Sequence, residues 1–319
     1  MRTTRKPGKA RRGRAPISGA LFGALSRLSS VRLSHRSNPG LRAEVGASMK
    51  TKDSTTWCVS EHQDLEGAWL TLQPHWVIQP SSRPLPRTPV YAALRMFLSP
   101  LLRPLLRWRI RGAEHIPRTG ATILAANHLS HVDPIAVIAA ARRTTHYLAK
   151  DGHFSNPLTS FVMRATGQIE THREAGGSDA LASAASILRN ECALGIFPEG
   201  TRSKRTEAPF LLPGKTGVAR LAAAHPRAVV VPVALVGTRD VMQPQHHKFP
   251  RLWRRFNVNA ARGVTWLDWL ASEQGGNQTA SSLLALAKSD EHEIRAELSR
   301  LYRQFTDQLM GTLAAAGAP

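Results

Sequence analysis

The stretch "NHLSHVD" (residues 127–133) places two imidazoles and a carboxylate close together, between an apolar run and an apparent helix. His128 and Asp133 could form a general base and its orienting carboxylate, because a carboxylate on one ring nitrogen fixes the tautomer and supports the imidazolium. With His131, the same residues could instead bind a metal ion. Asp133 directly precedes Pro134, so it could also be an ordinary helix N-cap. The stretch alone leaves these three interpretations open.

Two related chemistries have little support in the chain. A zinc protease would carry H-E-x-x-H on a helix, and the sequence has no such motif. A serine hydrolase would carry G-x-S-x-G around its nucleophile, and Ser130 has no such surroundings. We therefore expect no metal, while a metal-dependent hydrolase using His128 and His131 stays an alternative.

A second polar stretch, "GIFPEGTRS" (residues 195–203), carries Glu199 and Arg202 on a glycine-containing loop. It directly follows an apparent buried strand, as does the stretch at 127–133. In open α/β sheets, ligands bind beyond the carboxyl ends of the strands. We therefore expect the two loops to face each other, although a solvated turn would also explain the second one.

The elements that position these loops have an alternating pattern. Buried strands are indicated by "ATILAANH", "ALGIFPEG" and "AVVVPVALVG", and helices by "PIAVIAAARR", "SDALASAASILRN" and "GKTGVARLAAAH". This alternation predicts an α/β fold, a single domain with a largely parallel sheet flanked by helices. A further helix, with Asp290 and Glu293 at capping-box spacing, is predicted by apolar residues on one face: Ile294, Leu298, Leu301, Phe305 and Leu309.

Taken together, the two polar stretches resemble one family. His128 with Asp133 matches the histidine–four residues–aspartate motif of the glycerophospholipid acyltransferases, and "FPEGTRS" matches that family's third block. "GQIETHR" (residues 167–173) looks like the second block and "VVPVAL" like the fourth. The resemblance is greatest to the 1-acylglycerol-3-phosphate (lysophosphatidate) acyltransferases. It covers residues 90–240 well and the C-terminal region more loosely.

The resemblance implies an O-acyltransferase of phospholipid biosynthesis. An acyl group would move from acyl-CoA or acyl carrier protein, as co-substrate, to the free hydroxyl of lysophosphatidate, with no cofactor. His128 would remove the hydroxyl proton and Asp133 would orient His128. A relative that acylates glycerol 3-phosphate or another lysolipid is the alternative within the family.

The resemblance also implies which residues bind substrate. Arg173 and Arg202 would hold the acceptor phosphate, because a guanidinium suits a phosphate dianion. Glu199, Gly200 and Thr201 would shape the acceptor site, with Glu199 accepting from a glycerol hydroxyl or fixing Arg202. A weaker phosphate candidate is Lys150.

The second block departs from the family pattern just before Arg173. The family usually has apolar residues and an acidic one in these places, whereas this chain has Glu170, Thr171 and His172. The departure leaves the acceptor's identity open.

The charge balance fits anionic partners. The chain of 319 residues has a formal net charge of +21 and a pI of about 11.4, which favours anionic lipid, nucleic acid or a phosphorylated substrate. Since no helix-turn-helix signature, zinc finger or aromatic-bearing RNA motif is visible, we expect no nucleic acid. A basic nucleic-acid-binding protein nevertheless remains the alternative from another functional class. With two cysteines far apart, no disulfide framework is indicated.

The chain divides by composition into two parts. Residues 1–87 are predicted to be a basic, disordered, low-complexity tail and linker, which could touch a membrane or act as a transit peptide. Residues 88–319 are predicted to form the acyltransferase domain, beginning with an interfacial amphipathic segment at 88–110 whose arginines flank apolar residues. No apolar run approaches the ~20 residues of a spanning helix. We expect a peripheral protein on an anionic membrane surface, at the cytoplasmic face of the cell membrane.

Overall fold

The computed structural model describes residues 64–82, 107–150, 168–171, 176–243 and 253–319, together with residues 85, 88, 91, 96, 250 and 251. The predictions for residues 1–63 lie outside the described residues.

A seven-stranded sheet forms the centre of the described fold, in the order β1-β7-β6-β2-β5-β3-β4. All neighbouring strands are parallel except β6 and β7, which are antiparallel. The strands are β1 (Trp108–Arg111), β2 (Thr122–Ala126), β3 (Thr145–Lys150), β4 (Ile169–Thr171), β5 (Ala193–Ile196), β6 (Val229–Val236) and β7 (Phe256–Ala260). The predicted α/β fold with a largely parallel sheet is confirmed.

The helices connect and flank these strands. They are α1 (Gln73–Trp76), α2 (Asp133–Ala141), α3 (Gly176–Arg189), α4 (Gly217–Ala224), α5 (Thr238–Val241), α6 (Trp266–Ala271), α7 (Ala280–Leu286) and α8 (Glu291–Ala315). A helical segment at 64–71 precedes α1, and a 3-10 turn spans Ala113–His115.

The central strands are apolar on both faces because helices cover both sides of the sheet. In β2, Ile123 packs into a core with α3, α4 and α8, whereas its neighbour Leu124 packs into a second core with α2. Every residue of β2 is buried. Strands buried on both faces have near-continuous apolar sequences, which explains why "ATILAA" shows no alternation.

Two helix starts can be compared with their predicted caps. Asp290 caps α8 as predicted, and its side chain accepts a hydrogen bond from the Glu293 amide at 2.9 Å. Asp133, in contrast, is not the N-cap of α2 but its first residue. Its carboxylate is turned back toward the preceding loop instead.

The prediction that residues 1–87 form a disordered tail and linker is wrong for residues 64–78. Trp69 and Trp76 are buried and stack with ring centroids 5.5 Å apart. The Trp69 indole also donates to the carbonyl of Ala223 in α4, at 2.9 Å. These residues share one core with α3, α4 and α8, so the packed structure begins before residue 88. Composition missed them because a short helical segment with two tryptophans has no clear period.

The predicted interfacial segment at 88–110 lies almost entirely outside the described residues. Its last residues, from Trp108 onward, form strand β1 rather than an amphipathic helix, because they pair with β7. Within the described parts of the chain, no helix is both long enough and apolar enough to span a bilayer.

The N-terminal helical segment provides a direct test of this packing. Truncating Trp69 to alanine removes a buried indole and its hydrogen bond, so the free energy of unfolding should fall by about 3–5 kcal/mol. The control is Leu70→Ala, since Leu70 is 46% exposed and its loss should change stability by less than ~0.5 kcal/mol. Urea unfolding measures both; equal stability of the two variants would contradict the packing of residues 64–78 into the domain.

Candidate active site

The two polar stretches follow β2 and β5, which are adjacent and parallel. Their carboxyl ends therefore meet at one edge of the sheet, as the sequence predicts. Asn127 fixes the first loop to β6: its side chain donates to the Leu235 carbonyl at 3.0 Å and accepts from the Leu235 amide at 2.7 Å. This two-way amide contact gives the loop one position at the sheet edge.

His128 and Asp133 are in contact in this loop. Nδ1 of His128 lies 2.9 Å from Oδ2 of Asp133, and the same oxygen accepts from the amides of Leu129 and Ser130 at 2.6 Å each. Asp133 is fully buried, whereas the His128 side chain is 16% exposed. If Nδ1 carries the proton that it donates to the carboxylate, Nε2 has the lone pair. The geometry suits a general base whose tautomer is fixed by Asp133.

An aromatic stack holds the face of the imidazole. The rings of His128 and Phe197 are nearly parallel, with centroids 3.9 Å apart, and Tyr147 stacks on the other side of Phe197 at 5.4 Å. Burial raises the pKa of the Tyr147 phenol. A Cβ on Gly195 would lie 2.1 Å from the Tyr147 ring, which explains the glycine in "GIFPEG". Asp133 thus holds the edge of the imidazole and Phe197 holds its face.

Glu199 joins the two loops through backbone amides. Its Oε1 accepts from the His128 amide at 2.6 Å and its Oε2 from the Leu212 amide at 2.9 Å. Desolvation raises the pKa of this carboxyl to about 7, and nearby Asp133 adds to the increase, although the two hydrogen bonds act against it. In the described chain the carboxylate of Glu199 bonds these amides, and the guanidinium of Arg202 bonds the His131 ring instead.

Further contacts connect the loops around the glutamate. The Ser203 amide donates to the His128 carbonyl at 2.9 Å. Gly200 has a φ of +71°, a left-handed conformation that favours glycine. Thr201 is exposed.

Arg202 contacts a residue that the sequence did not assign to the site. Its guanidinium hydrogen-bonds to the His131 ring, and burial lowers the pKa of the guanidinium. His131 is exposed, whereas His128 is largely buried. The loop histidines therefore differ: His128 contacts the carboxylate and His131 contacts the arginine.

The remaining predicted site residues are only partly described. Lys150 ends β3 and pairs in register with Thr171 of β4, but its side chain is outside the described set, as is that of Glu170. His172 and Arg173 lie outside the described residues. They follow β4, whose carboxyl end is at the same edge of the sheet as those of β2 and β5.

Sequence reasoning missed three residues around the dyad, namely Asn127, Tyr147 and Phe197. Asn127 and Phe197 stand within the two polar stretches, so their position was a usable signal. No feature of the sequence pointed to Tyr147, because its contact with Phe197 forms only when β3 and β5 are neighbours in the sheet. In the described parts of the chain, no three histidine, cysteine or acidic side chains form a cluster that could hold a metal ion.

Comparison with known proteins gives a family match across this site. Residues 107–236 match the family model described as Acyltransferase. Among curated relatives, the chloroplastic 1-acyl-sn-glycerol-3-phosphate acyltransferase LPAT1 of Arabidopsis thaliana is 27% identical over 157 residues, covering 46% of this chain and 41% of the relative. A 1-acyl-sn-glycerol-3-phosphate acyltransferase of Borreliella burgdorferi is 28% identical over 133 residues, covering 41% of this chain and 52% of the relative.

The chain thus spans about half the length of these relatives, or less. The crystal structure of a 1-acyl-sn-glycerophosphate acyltransferase from Thermotoga maritima superposes loosely, with a TM-score of 0.43 and 16% identity over 79% of this chain and 92% of that one. The family match at residues 107–236 includes both loops of the site.

Proposed function

We propose that the chain transfers a fatty acyl group from a thioester to the free hydroxyl of lysophosphatidate, giving phosphatidate for phospholipid synthesis. The observation that carries the proposal is the His128–Asp133 contact at 2.9 Å, in a loop joined to the "FPEGTR" loop by Glu199. The names of the curated relatives support lysophosphatidate as the acceptor.

In this mechanism His128 acts twice. Its Nε2 removes the proton of the acceptor hydroxyl as the oxygen attacks the thioester carbonyl, which forms a C–O bond and a tetrahedral oxyanion. The oxyanion collapses, the C–S bond breaks, and the leaving thiolate takes the proton back from the imidazolium. General-base catalysis of this kind typically contributes 10²–10⁴-fold. Asp133 stabilises the imidazolium, and no acyl-enzyme intermediate or cofactor is needed.

The acceptor phosphate is assigned to Arg173 and Arg202. Arg202 stands in the loop next to the base, and its contact with His131 holds the guanidinium at this edge of the sheet. Thr201 and Lys150 are secondary candidates for the same phosphate. Glu199 and Gly200 are positioning residues, since the glutamate uses both oxygens on backbone amides.

The acyl donor would be acyl-CoA or acyl carrier protein. The protein would bind peripherally at the cytoplasmic face of the cell membrane. Thiol release from each donor, with lysophosphatidate, glycerol 3-phosphate or another lysolipid as acceptor, tests the proposal. Preferential release with lysophosphatidate supports it. Preferential thiol release with glycerol 3-phosphate would indicate the alternative within the family, an acyltransferase that acylates glycerol 3-phosphate. Thiol release that does not depend on any acceptor would refute acyl transfer.

The dyad should be separable from the second loop histidine. His128→Ala should lower kcat by roughly 10²- to 10⁴-fold, and Asp133→Asn should lower it as well, because an amide cannot stabilise the imidazolium in the same way. His131→Ala should retain most of kcat, since its ring contacts Arg202 and only His128 has the four-residue spacing to the aspartate that the family motif requires. Steady-state kinetics, with circular dichroism to check folding, measure this; comparable losses in His131→Ala and His128→Ala would reject the base assignment.

Glu199 should make stability depend on pH. Its pKa is raised from 4.5 to about 7 in the folded protein, so between these values the folded state binds more protons than the unfolded state. The carboxyl therefore favours folding at low pH, and this contribution is lost as the pH rises toward 7, by up to about 3 kcal/mol. Glu199→Gln does not titrate and should gain stability relative to wild type as the pH rises from 5 to 8.

Urea unfolding of both proteins across this range gives the comparison. Glu207→Gln is the matched control, because Glu207 is an exposed carboxyl of the same loop. A constant difference for Glu199→Gln would mean that the buried carboxyl titrates normally.

Arg173 should affect the acceptor and not the donor. A charge-assisted contact with the phosphate is worth ~1.5–3 kcal/mol, so Arg173→Ala should raise the acceptor KM roughly ten- to a hundredfold, with little change in the donor KM. Arg173→Lys should recover only part, because an ammonium cannot reproduce the guanidinium fork. An unchanged acceptor KM in kinetics with both substrates varied would remove the phosphate role and indicate an acceptor without a phosphate.

A further inference from the structure

Within the described residues, one exposed cluster combines positive charge with a large apolar ring. It consists of Arg107, Arg251, Trp253, Arg254 and Arg255, and is called the Trp253 cluster below. All five residues are exposed, and Trp253 is 66% exposed. Exposed tryptophan is unusual in this chain: among the described residues, the other five tryptophans are buried.

The sequence around the cluster is free of acids on both sides. No aspartate or glutamate occurs between Asp240 and Asp268, and none occurs between Glu66 and Glu114. These two acid-free stretches meet in the fold, because β1 pairs with β7 in a register that matches Trp108 with Phe256. Arg107 and Arg255 therefore stand side by side, each one residue before the paired part of its strand. The result is a cationic surface with no compensating acid from either stretch.

The cluster lies at the same edge of the sheet as the dyad. β7 is antiparallel to β6, and β1 is parallel to β7, so the amino ends of β1 and β7 meet the carboxyl ends of β2, β5 and β6. Two hydrogen bonds connect the regions: Ser130 Oγ donates to the Met242 carbonyl at 2.7 Å, and the Arg251 amide donates to the Val241 carbonyl at 2.7 Å. The cluster is thus connected to the loop of His128 through the end of α5.

We propose that the Trp253 cluster docks the protein on an anionic lipid bilayer, with the Trp253 ring at the headgroup level and the arginines on lipid phosphates. Tryptophan prefers the membrane interface because its ring is apolar and its N–H is polar. Each arginine near an anionic surface adds roughly a fivefold gain in partitioning. The proposal rests on the proposed function in one respect: a lysolipid acceptor would then enter the site from the surface that the cluster touches.

A bilayer fits the cluster better than the other polyanion, nucleic acid. The cluster has one exposed aromatic ring, whereas single strands are bound through several stacking rings along a basic groove. It also stands at the edge of the sheet where the proposed substrate is a lipid. Nucleic acid is therefore kept as an outcome of the test.

The test uses the full chain and vesicles of phosphatidylcholine with about one-third phosphatidylglycerol, an anionic surface, against pure phosphatidylcholine. Arg254→Gln/Arg255→Gln should weaken sedimentation with the anionic vesicles by roughly ten- to thirtyfold. The matched control is Arg111→Gln/Arg118→Gln, which removes two exposed arginines at the opposite edge, at the carboxyl end of β1 and before β2. It should bind like wild type. Equal binding by the two double variants would overturn the proposal.

Insertion of the Trp253 ring into the bilayer can be measured separately, by fluorescence quenching. Brominated lipid should quench part of the protein's tryptophan fluorescence, and Trp253→Phe should lose that quenched part while keeping the fold, since Trp253 is 66% exposed. Identical quenching in wild type and Trp253→Phe would overturn the insertion. Cluster-dependent binding of a short duplex or single-stranded DNA, without cluster-dependent binding of vesicles, would assign the surface to nucleic acid and overturn the lipid proposal.

Failure of the docking proposal can be distinguished from failure of the proposed acyltransferase function. His128→Ala should bind vesicles like wild type, because docking requires no turnover. Arg254→Gln/Arg255→Gln should transfer acyl groups to a short-chain, water-soluble lysophosphatidate at the wild-type rate, and lose rate only when the acceptor is presented in vesicles. A protein that binds vesicles through the cluster but transfers no acyl group would refute the proposed function alone.

Discussion

One oxygen atom of Asp133 determines the arrangement of the site. It accepts from the His128 ring and from two consecutive backbone amides, in a position that excludes water completely. A buried carboxylate is tolerated only when donors replace its hydration, and here the donors come from the loop that carries the base. The loop cannot move without leaving the charge unsatisfied, so the carboxylate that orients the imidazole also fixes its backbone. The amino end of α2 adds a favourable dipole to this negative charge.

Glu199 extends this constraint to the second loop at a cost in electrostatic energy. Its carboxyl is buried near Asp133, and the two effects together raise its pKa. In return, each oxygen holds a backbone amide, one from the His128 loop and one from Leu212. The two motifs are therefore one structure, joined by the contacts of the glutamate with the main chain of both loops. The glycine that follows it has a conformational reason, since its φ of +71° lies in the left-handed region.

The sequence predicted the parts of this structure that depend on local pattern. Strands β2, β5 and β6, helices α2, α3, α4 and α8, and the proximity of His128 to Asp133 all follow from short-range periodicity and spacing. It could not predict that Glu199 would bind amides rather than Arg202, because a carboxylate's partner depends on which main chain lies beside it. Nor could it place Trp69 in the core, since the partner carbonyl of Ala223 is far away in the chain. Contacts of this kind are decided by topology, which no single stretch of sequence contains.

The same reasoning applies to the arginines before β1. From sequence they are predicted to belong to an interfacial amphipathic segment at 88–110, most of which lies outside the described residues. Where the chain is described, however, Arg107 leads into a strand whose direction is opposite to that of β2. That reversal, caused by the antiparallel pairing of β6 with β7, brings the amino end of β1 to the edge where His128 stands. If all strands were parallel, the entry to β1 would lie at the far edge, away from the base. One antiparallel pair thus places the Trp253 cluster, which includes Arg107, and the His128–Asp133 dyad at a single edge of the sheet. For the proposed transfer to a lysolipid, this arrangement would bring the dyad to the face that the proposed docking turns toward the bilayer.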